Sequence, residues 1–420
     1  MSIRITPNPF SPLADSPRSA SPDRLDQSFS SASCLSISID EAMDCSEPSI
    51  MTRNCQDLEF NAIVQGINAR TAEFAAKALP RSKSLNEIFV IHAPSGPVAV
   101  FKPRSASHGS DMRMGLAGEV QDAEQNEVVA ARLAQILTKR QIVPIAEMAD
   151  LRLGDVKTIQ EVARSVLEAD AALLADDRAF VSGTIHKFVT GAQDLKSSNA
   201  ISLAFFQSQD PEVQSATRMI AALYVLTCYL DGHMGNVMLN QVGSPVAVDF
   251  GDMMPSQFAV GARPPCWLSS LACSLPFSKE DVAEIQATQW SSIEGILTEV
   301  SGYSSEKINT MQLCYVLLQK GISKGLTPNQ IMCFLIGEKP PQAILGTFRH
   351  PSAMNEVYRI CVKGSSVDFA KMDRLLDLSM DYLVKKMQAG PLGSDLSVYY
   401  ERLAKNLRET ISELVLISNP

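Results

Sequence analysis

The residues of this chain with the clearest chemical potential lie between Leu230 and Phe250, which reads Leu-Asp-Gly-His-Met-Gly-Asn, a short apolar run, and then Val-Asp-Phe-Gly. Asp231 lies five residues before the amide Asn236, and a second carboxylate, Asp249, stands between an apolar run and Phe250-Gly251. Transfer of a phosphoryl group from a nucleoside triphosphate needs groups of this kind: one carboxylate to meet the attacking hydroxyl, and an amide oxygen with a second carboxylate to hold the metal ions that neutralise the triphosphate. A tight loop carrying Asp231 and Asn236, followed by a hairpin ending at Asp249, would bring all three to one cleft.

Other elements must hold such a cleft together, and bulk properties limit what they can be. With 420 residues, 45% of them hydrophobic, the chain can form two or three domains with a sizeable core. A net charge of −9 and a pI near 5.2 argue against general nucleic-acid binding and against docking on an anionic membrane by charge alone. The nine cysteines are scattered without a CxxC pair, a pattern of reduced thiols in place of a disulfide framework or zinc site. The most apolar stretch, 219–230, is short of the roughly 18 residues of a membrane span, so no transmembrane span is expected.

Composition changes near residue 55. The first 50 residues hold 13 Ser and 6 Pro with no sustained apolar period, which predicts a disordered tail over 1–55. It lacks the basic start and apolar stretch of a cleaved signal peptide. Asn61 to Ala78 has helical spacing. Ile88–Ile91 and Pro97–Phe101 are short apolar runs around Pro94-Ser95-Gly96, a hairpin signal, and Lys102 emerges at the end of the second. Glu119 to Leu137 reads as an amphipathic helix with Val128, Ala131, Leu133, Ala134 and Leu137 inward. Packed beside the hairpin, that helix would present Glu127 to Lys102. Helical spacing returns over Lys279–Val300, capped by Ser278, and over Ile308–Gly321, Asp368–Met387 and Tyr399–Leu416. Trp267 and Trp290 are read as packing residues, with the lining of a substrate groove as the alternative.

Four motifs in order carry a resemblance: Val-Phe-Lys-Pro at 100–103, Asn-Glu-Val-Val-Ala-Ala at 126–131, Asp-Gly-His-Met-Gly-Asn at 231–236 and Asp-Phe-Gly at 249–251. Together they resemble the phosphoinositide 3-/4-kinase-like superfamily, with type II phosphatidylinositol 4-kinases and their bacterial relatives nearest, over roughly residues 80 to 300. Gly183 to Val189 is similar to the strand and hinge whose backbone meets adenine, with Ile185 and Lys187 as the cofactor-binding candidates. Leu275-Pro276-Phe277-Ser278 resembles the segment after the metal loop.

The resemblance implies a bilobal protein-kinase-like α+β fold. A small β-sheet lobe with one helix would span 56–182, a hinge 183–191, and a larger, mainly helical lobe with the catalytic and metal loops 192–420. It implies that ATP and Mg2+, with Mn2+ as a substitute, are the cofactors. Lys102 would contact the ATP phosphates with Glu127 as its helix partner, Glu119 and Glu124 aligning less well. Asp231 would serve as general base, Asn236 and Asp249 as metal ligands, and His233 would face the transferred phosphate. The loop expected over the phosphates, Arg81 to Glu87, has no glycine, which leaves backbone amides with Ser82, Ser84 or Lys83 to bind phosphate. Asp252 to Ser278 contains one basic residue, Arg263, where lipid kinases carry a basic segment, and the palmitoylation cysteines of animal type II enzymes are missing.

These departures favour a protein hydroxyl over a phosphoinositide as acceptor, with an inactive kinase fold used as a binding module as the third reading. The tail resembles the uncleaved export signal of bacterial type III effectors, which implies action on a host protein in the host cytosol; the alternative is an ordinary regulatory tail on a cytoplasmic protein. A host activator is a further partner this reading admits.

Overall fold

Alternating apolar residues between turn formers give the chain its main sheet, and helical runs build the rest. A computed structural model of the protein describes residues 60–67, 75–78, 88–93, 96–103, 123–152, 180–229, 232–251, 253, 265–300, 302–336, 352–363, 366–388 and 405–411. Helix α1 (60–67) precedes strands β1 (Ala75–Ala78), β2 (Phe89–Ala93) and β3 (Gly96–Pro103). Helix α2 (Ala123–Leu137) lies between β3 and the strands β4 (Ala146–Arg152) and β5 (Phe180–Lys187). These strands form one antiparallel sheet in the order β1-β2-β3-β5-β4. Phe89, Ile91, Ala99, Phe101, Ala149 and Ile185 make a small core with Phe60, Val64 and Ile67 of α1.

Asn61–Ala78 does not continue as one helix: Ala75–Ala78 pairs antiparallel with β2 from His92 to Phe89. Alanine favours helix locally, but pairing with the edge of β2 satisfies the same backbone groups within a sheet. The proposed hinge over 183–191 is strand for its first half, since β5 runs to Lys187.

Helices α3 (Asn199–Phe206) and α4 (Pro211–Leu226) follow a two-residue strand, β6 (Gln193–Asp194). Helix α4 starts on the Asp210 cap with Pro211 in its first turn, and every residue from Ser215 to Leu226 is buried. Cys228, with φ 50°, then turns left-handed, and the Tyr229 N–H bonds back to the Tyr224 carbonyl. This closes α4 as a Schellman-type cap without glycine. Strands β7 (Val237–Leu239) and β8 (Pro245–Ala247) complete a three-stranded sheet, β6-β7-β8.

Helices α5 (Lys279–Ala287), α6 (Trp290–Val300), α7 (Ser305–Ser323), α8 (Pro328–Met332), α9 (Ala353–Cys361), α10 (Phe369–Gln388) and α11 (405–411) follow, with the small hairpin β9 (Val362–Lys363) and β10 (Ser366–Val367) after α9; α5, α7 and α8 pack on α4, α6 on α2 and α7, and α10 on α7 and α9. Ser278 caps α5 in a capping box with Asp281. The stretch read as a single helix breaks at Thr288-Gln289, where the Thr288 hydroxyl donates to the Ile136 carbonyl of α2. Asp281 is fully buried and bonded by Arg218 Nε at 2.7 Å and by the Ser215 hydroxyl, tying α5 to α4. The fold is mixed α+β with small antiparallel sheets. No helix among the described residues is long and apolar enough to cross a membrane.

Candidate active site

Lys102 stands at the end of β3, opposite Thr184 of β5, on the sheet face turned away from Ala99 and Phe101. Its Nζ donates to Glu127 Oε1 at 2.5 Å and to Asp249 Oδ1 at 2.9 Å. Three segments far apart in sequence thus meet at one ammonium. Helix α2 is buried on all sides from Asn126 to Ala131, and Glu127 lies within that buried turn, where its carboxylate meets β3 and the loop after β8. Glu127 Oε2 accepts the Phe250 N–H at 3.0 Å, so one carboxylate grips both the lysine and the loop that carries Asp249.

Burial works against the Lys102 ammonium, yet the charges of Asp249 and Glu127 outweigh it and hold its pKa above the ordinary value. The Lys102 charge in turn holds the Asp249 carboxyl below its ordinary value, and burial pushes Glu127 up against the pull of Lys102. Glu127's side chain is 7% exposed and Asp249's 47%. One cation facing two carboxylates leaves excess negative charge, concentrated on the open side of Asp249.

Asp249 itself is left-handed, with φ 68°, an uncommon state for a residue with a side chain. Hydrogen bonds on every side hold it there: Val248 N to the Asn236 carbonyl at 2.9 Å, the Tyr229 hydroxyl to the Asp249 carbonyl, and Phe250 N to Glu127. Asn126, one residue before Glu127, donates to the carbonyls of Gly251 at 2.6 Å and Met253 at 3.1 Å and accepts from the Tyr303 hydroxyl. Sequence reasoning missed Asn126. The signal that could have found it is a polar residue next to Glu127 on an otherwise apolar helix face.

Asn236 is buried just before β7, and its Nδ2 donates to the Tyr229 hydroxyl at 3.1 Å. His233 is exposed in the preceding turn, and its Nδ1 accepts the Gly235 N–H at 3.0 Å. A backbone N–H can only donate, so a neutral His233 ring carries its proton on Nε2. A Cβ at Gly235 would lie 2.9 Å from His233 Cε1, so any larger residue there would displace the ring from this position.

The hinge candidates fall elsewhere. Ile185 is fully buried in the small core, and its strand is paired on both edges, with Phe101 and Glu147, so neither its side chain nor its strand edge reaches the Lys102 group. The phase of β5 puts Thr184 and His186 on Lys102's face instead. His186 is buried and bonded to Thr184 Oγ1 through Nε2 at 3.0 Å; burial, with Lys102 behind it, pushes its pKa well below the ordinary value. The Lys187 N–H is taken by the Ile145 carbonyl and that of Phe188 by the Val98 carbonyl. Lys187 lines a separate cavity of about 380 Å³ with Val98, Phe188, Asn240 and Val242, which Lys102, Glu127 and Asp249 do not line. Asp231, Ser82, Ser84, Glu119 and the 1–55 tail lie outside the described residues, as does most of the segment after Gly251.

Among the described residues no three His, Cys, Asp or Glu side chains cluster as a metal site. The donor set expected from the sequence is an amide and a carboxylate, which suits Mg2+, an ion that keeps several waters and takes one or two carboxylates plus substrate phosphates. Trp267 is fully buried edge-on to Tyr224, and Trp290 packs on Tyr315, as expected of packing residues. Compared with known proteins, the chain matches no family model and no curated protein.

Proposed function

We propose that this chain is an ATP- and Mg2+-dependent phosphotransferase with a bilobal kinase-like arrangement. The observation that carries this reading is Lys102 Nζ shared between Glu127 on α2 and Asp249 beyond β8. Lys320 and Lys324 also bridge two carboxylates each, but exposed ones on α10 alone, whereas Lys102 joins a buried Glu127 to an Asp249 on a different, distant segment. A second, half-exposed carboxylate with its pKa held low is suited to a divalent cation. Lys102 would meet the triphosphate, Asn236 and Asp249 would hold the metal, and the metal would neutralise charge on the transferred group. The His233 Nε2 proton would face that group, and Asp231 would orient the acceptor hydroxyl. The inactive-fold reading is disfavoured because a scaffold has no chemical need to keep Lys102, Asp231, Asn236 and Asp249 all four.

For the acceptor, a protein hydroxyl is favoured over a phosphoinositide, on the single basic residue between Asp252 and Ser278. Delivery from a bacterium into a host cell rests on the composition of residues 1–55 alone. The test is purified chain with radiolabelled ATP and Mg2+, offered host-cell lysate in one arm and phosphoinositide vesicles in the other. Transfer in the lysate arm that vanishes in Lys102→Ala and Asp249→Ala is expected. Transfer to vesicles alone would overturn the acceptor, and no transfer in either arm would overturn the enzyme.

A further inference from the structure

We infer that Tyr229 is the positioning residue that fixes which atom of Asn236 faces the metal, an inference that rests on the metal-binding reading of Asn236 and Asp249. Tyr229 is buried, in ring contact with Tyr224 and Phe250, and follows directly on the left-handed turn at Cys228. Its hydroxyl meets two partners, the backbone carbonyl of Asp249 and the side-chain amide of Asn236.

A phenol has one proton to donate. The Asp249 carbonyl can only accept, so that proton is committed to it. The phenol oxygen must then act as acceptor towards Asn236, and only the amine of the carboxamide can donate. Asn236 is thereby held with Nδ2 towards Tyr229 and Oδ1 on the opposite branch. An amide binds Mg2+ through oxygen and never through its NH2, so an amide free to turn over would present the wrong atom part of the time. The same hydroxyl anchors the carbonyl of Asp249, whose left-handed backbone aims the other metal ligand. One hydroxyl thus sets the orientation of the amide ligand and the backbone of the carboxylate ligand. Nothing in the sequence of Tyr229 alone signals this, because an aromatic residue at the end of an apolar run reads as core.

The test is calorimetric titration of ATP into the full chain over a series of Mg2+ concentrations, for wild type, Tyr229→Phe, Asn236→Asp and the double variant. Tyr229→Phe is expected to raise the half-saturating Mg2+ by about three- to tenfold, the worth of one net hydrogen bond. Metal-free ATP binding should change little. In the Asn236→Asp background both side-chain branches end in oxygen, so adding Tyr229→Phe should raise the requirement by less than in wild type. A merely structural tyrosine would lower thermal stability and leave the Mg2+ requirement alone, or shift it equally in both backgrounds; either result overturns the inference. Wild type without Mg2+-dependent ATP binding overturns the phosphotransferase reading and this inference with it, whereas wild-type binding with Tyr229→Phe unchanged overturns only the inference. Should Tyr229→Phe not fold, wild type labelled at asparagine nitrogens and tyrosine rings should give a cross-peak between the Asn236 amine protons and the Tyr229 ring. Its absence overturns the amide orientation.

Discussion

Replacing Lys102 by methionine keeps the length of the side chain and removes its charge, leaving Glu127 buried beside Asp249 without a cation. Asp249 is half exposed and regains water, but Glu127 at 7% exposure cannot. Its least costly response is to take up a proton. Protonating a carboxyl of ordinary pKa about 4.3 at pH 7 costs about 3.7 kcal/mol, at about 1.36 kcal/mol per pH unit, so this sets the ceiling on the loss. At pH 5 the same ceiling is only about 1 kcal/mol. With about 2.1 cal/mol/K of unfolding entropy per residue over the 240 described residues, the pH 7 loss corresponds to a drop of about 7 °C in Tm.

The sign of the pH dependence follows from linkage. Burial already raises the folded Glu127 pKa in the wild type, and Lys102→Met removes the cation that opposes the rise, so the folded variant binds more protons than the folded wild type in that window and loses more stability as pH rises through it. The deficit relative to wild type should therefore grow from pH 5 to pH 7, as read by thermal melts across that range. Adding Glu127→Gln, which still accepts from Phe250 N, should abolish the growth. A deficit that is flat with pH, or that shrinks as pH rises, would refute the buried pairing of Lys102 with Glu127.

Three further outcomes follow from the same geometry. Gly235→Ala should displace the His233 ring, since the new Cβ would meet it at 2.9 Å, and should cut ATP turnover at least about tenfold while ATP affinity holds; unchanged turnover would remove His233 from the reaction. His186→Gln tests the depressed histidine. A folded pKa below about 6.5 means stability is full above that pH and falls by up to about 1.4 kcal/mol per unit below it, so the wild-type Tm should drop more steeply than the variant's between pH 7.5 and 5.5. Arg218→Met leaves Asp281 buried without its cation and should cost about 3–5 kcal/mol in a denaturant melt while leaving ATP affinity of the folded protein intact, which separates the α4–α5 anchor from the site.

The hairpin around Gly96 and the pairing of Lys102 with Glu127 were legible because both are periodic. A turn former between two apolar runs marks the β2–β3 hairpin, and the helical period of α2 beside it offers Glu127 to the lysine at the end of β3. The phase of β5 was not legible, because residues 183–186 are all buried and alternation carries no contrast; Thr184 and His186 share the face of Lys102, and Ile185 faces the small core. Ala75–Ala78 misled for a related reason, since alanine's local preference says nothing about an available strand edge at β2. Asn126 and Tyr229 stayed hidden because their roles are hydrogen bonds to backbone carbonyls of a loop distant in sequence, which no residue pattern encodes.

The central claim is that Lys102, Glu127 and Asp249 form a metal–triphosphate site, and equilibrium binding tests it without any knowledge of the acceptor. ATP titrated into the full chain by calorimetry, with and without Mg2+, should bind saturably and more tightly with the metal. Asp249→Asn should lose the metal-dependent gain and Lys102→Ala most of the affinity. Wild type that binds no ATP, or variants that bind it as wild type does in both conditions, would contradict the account.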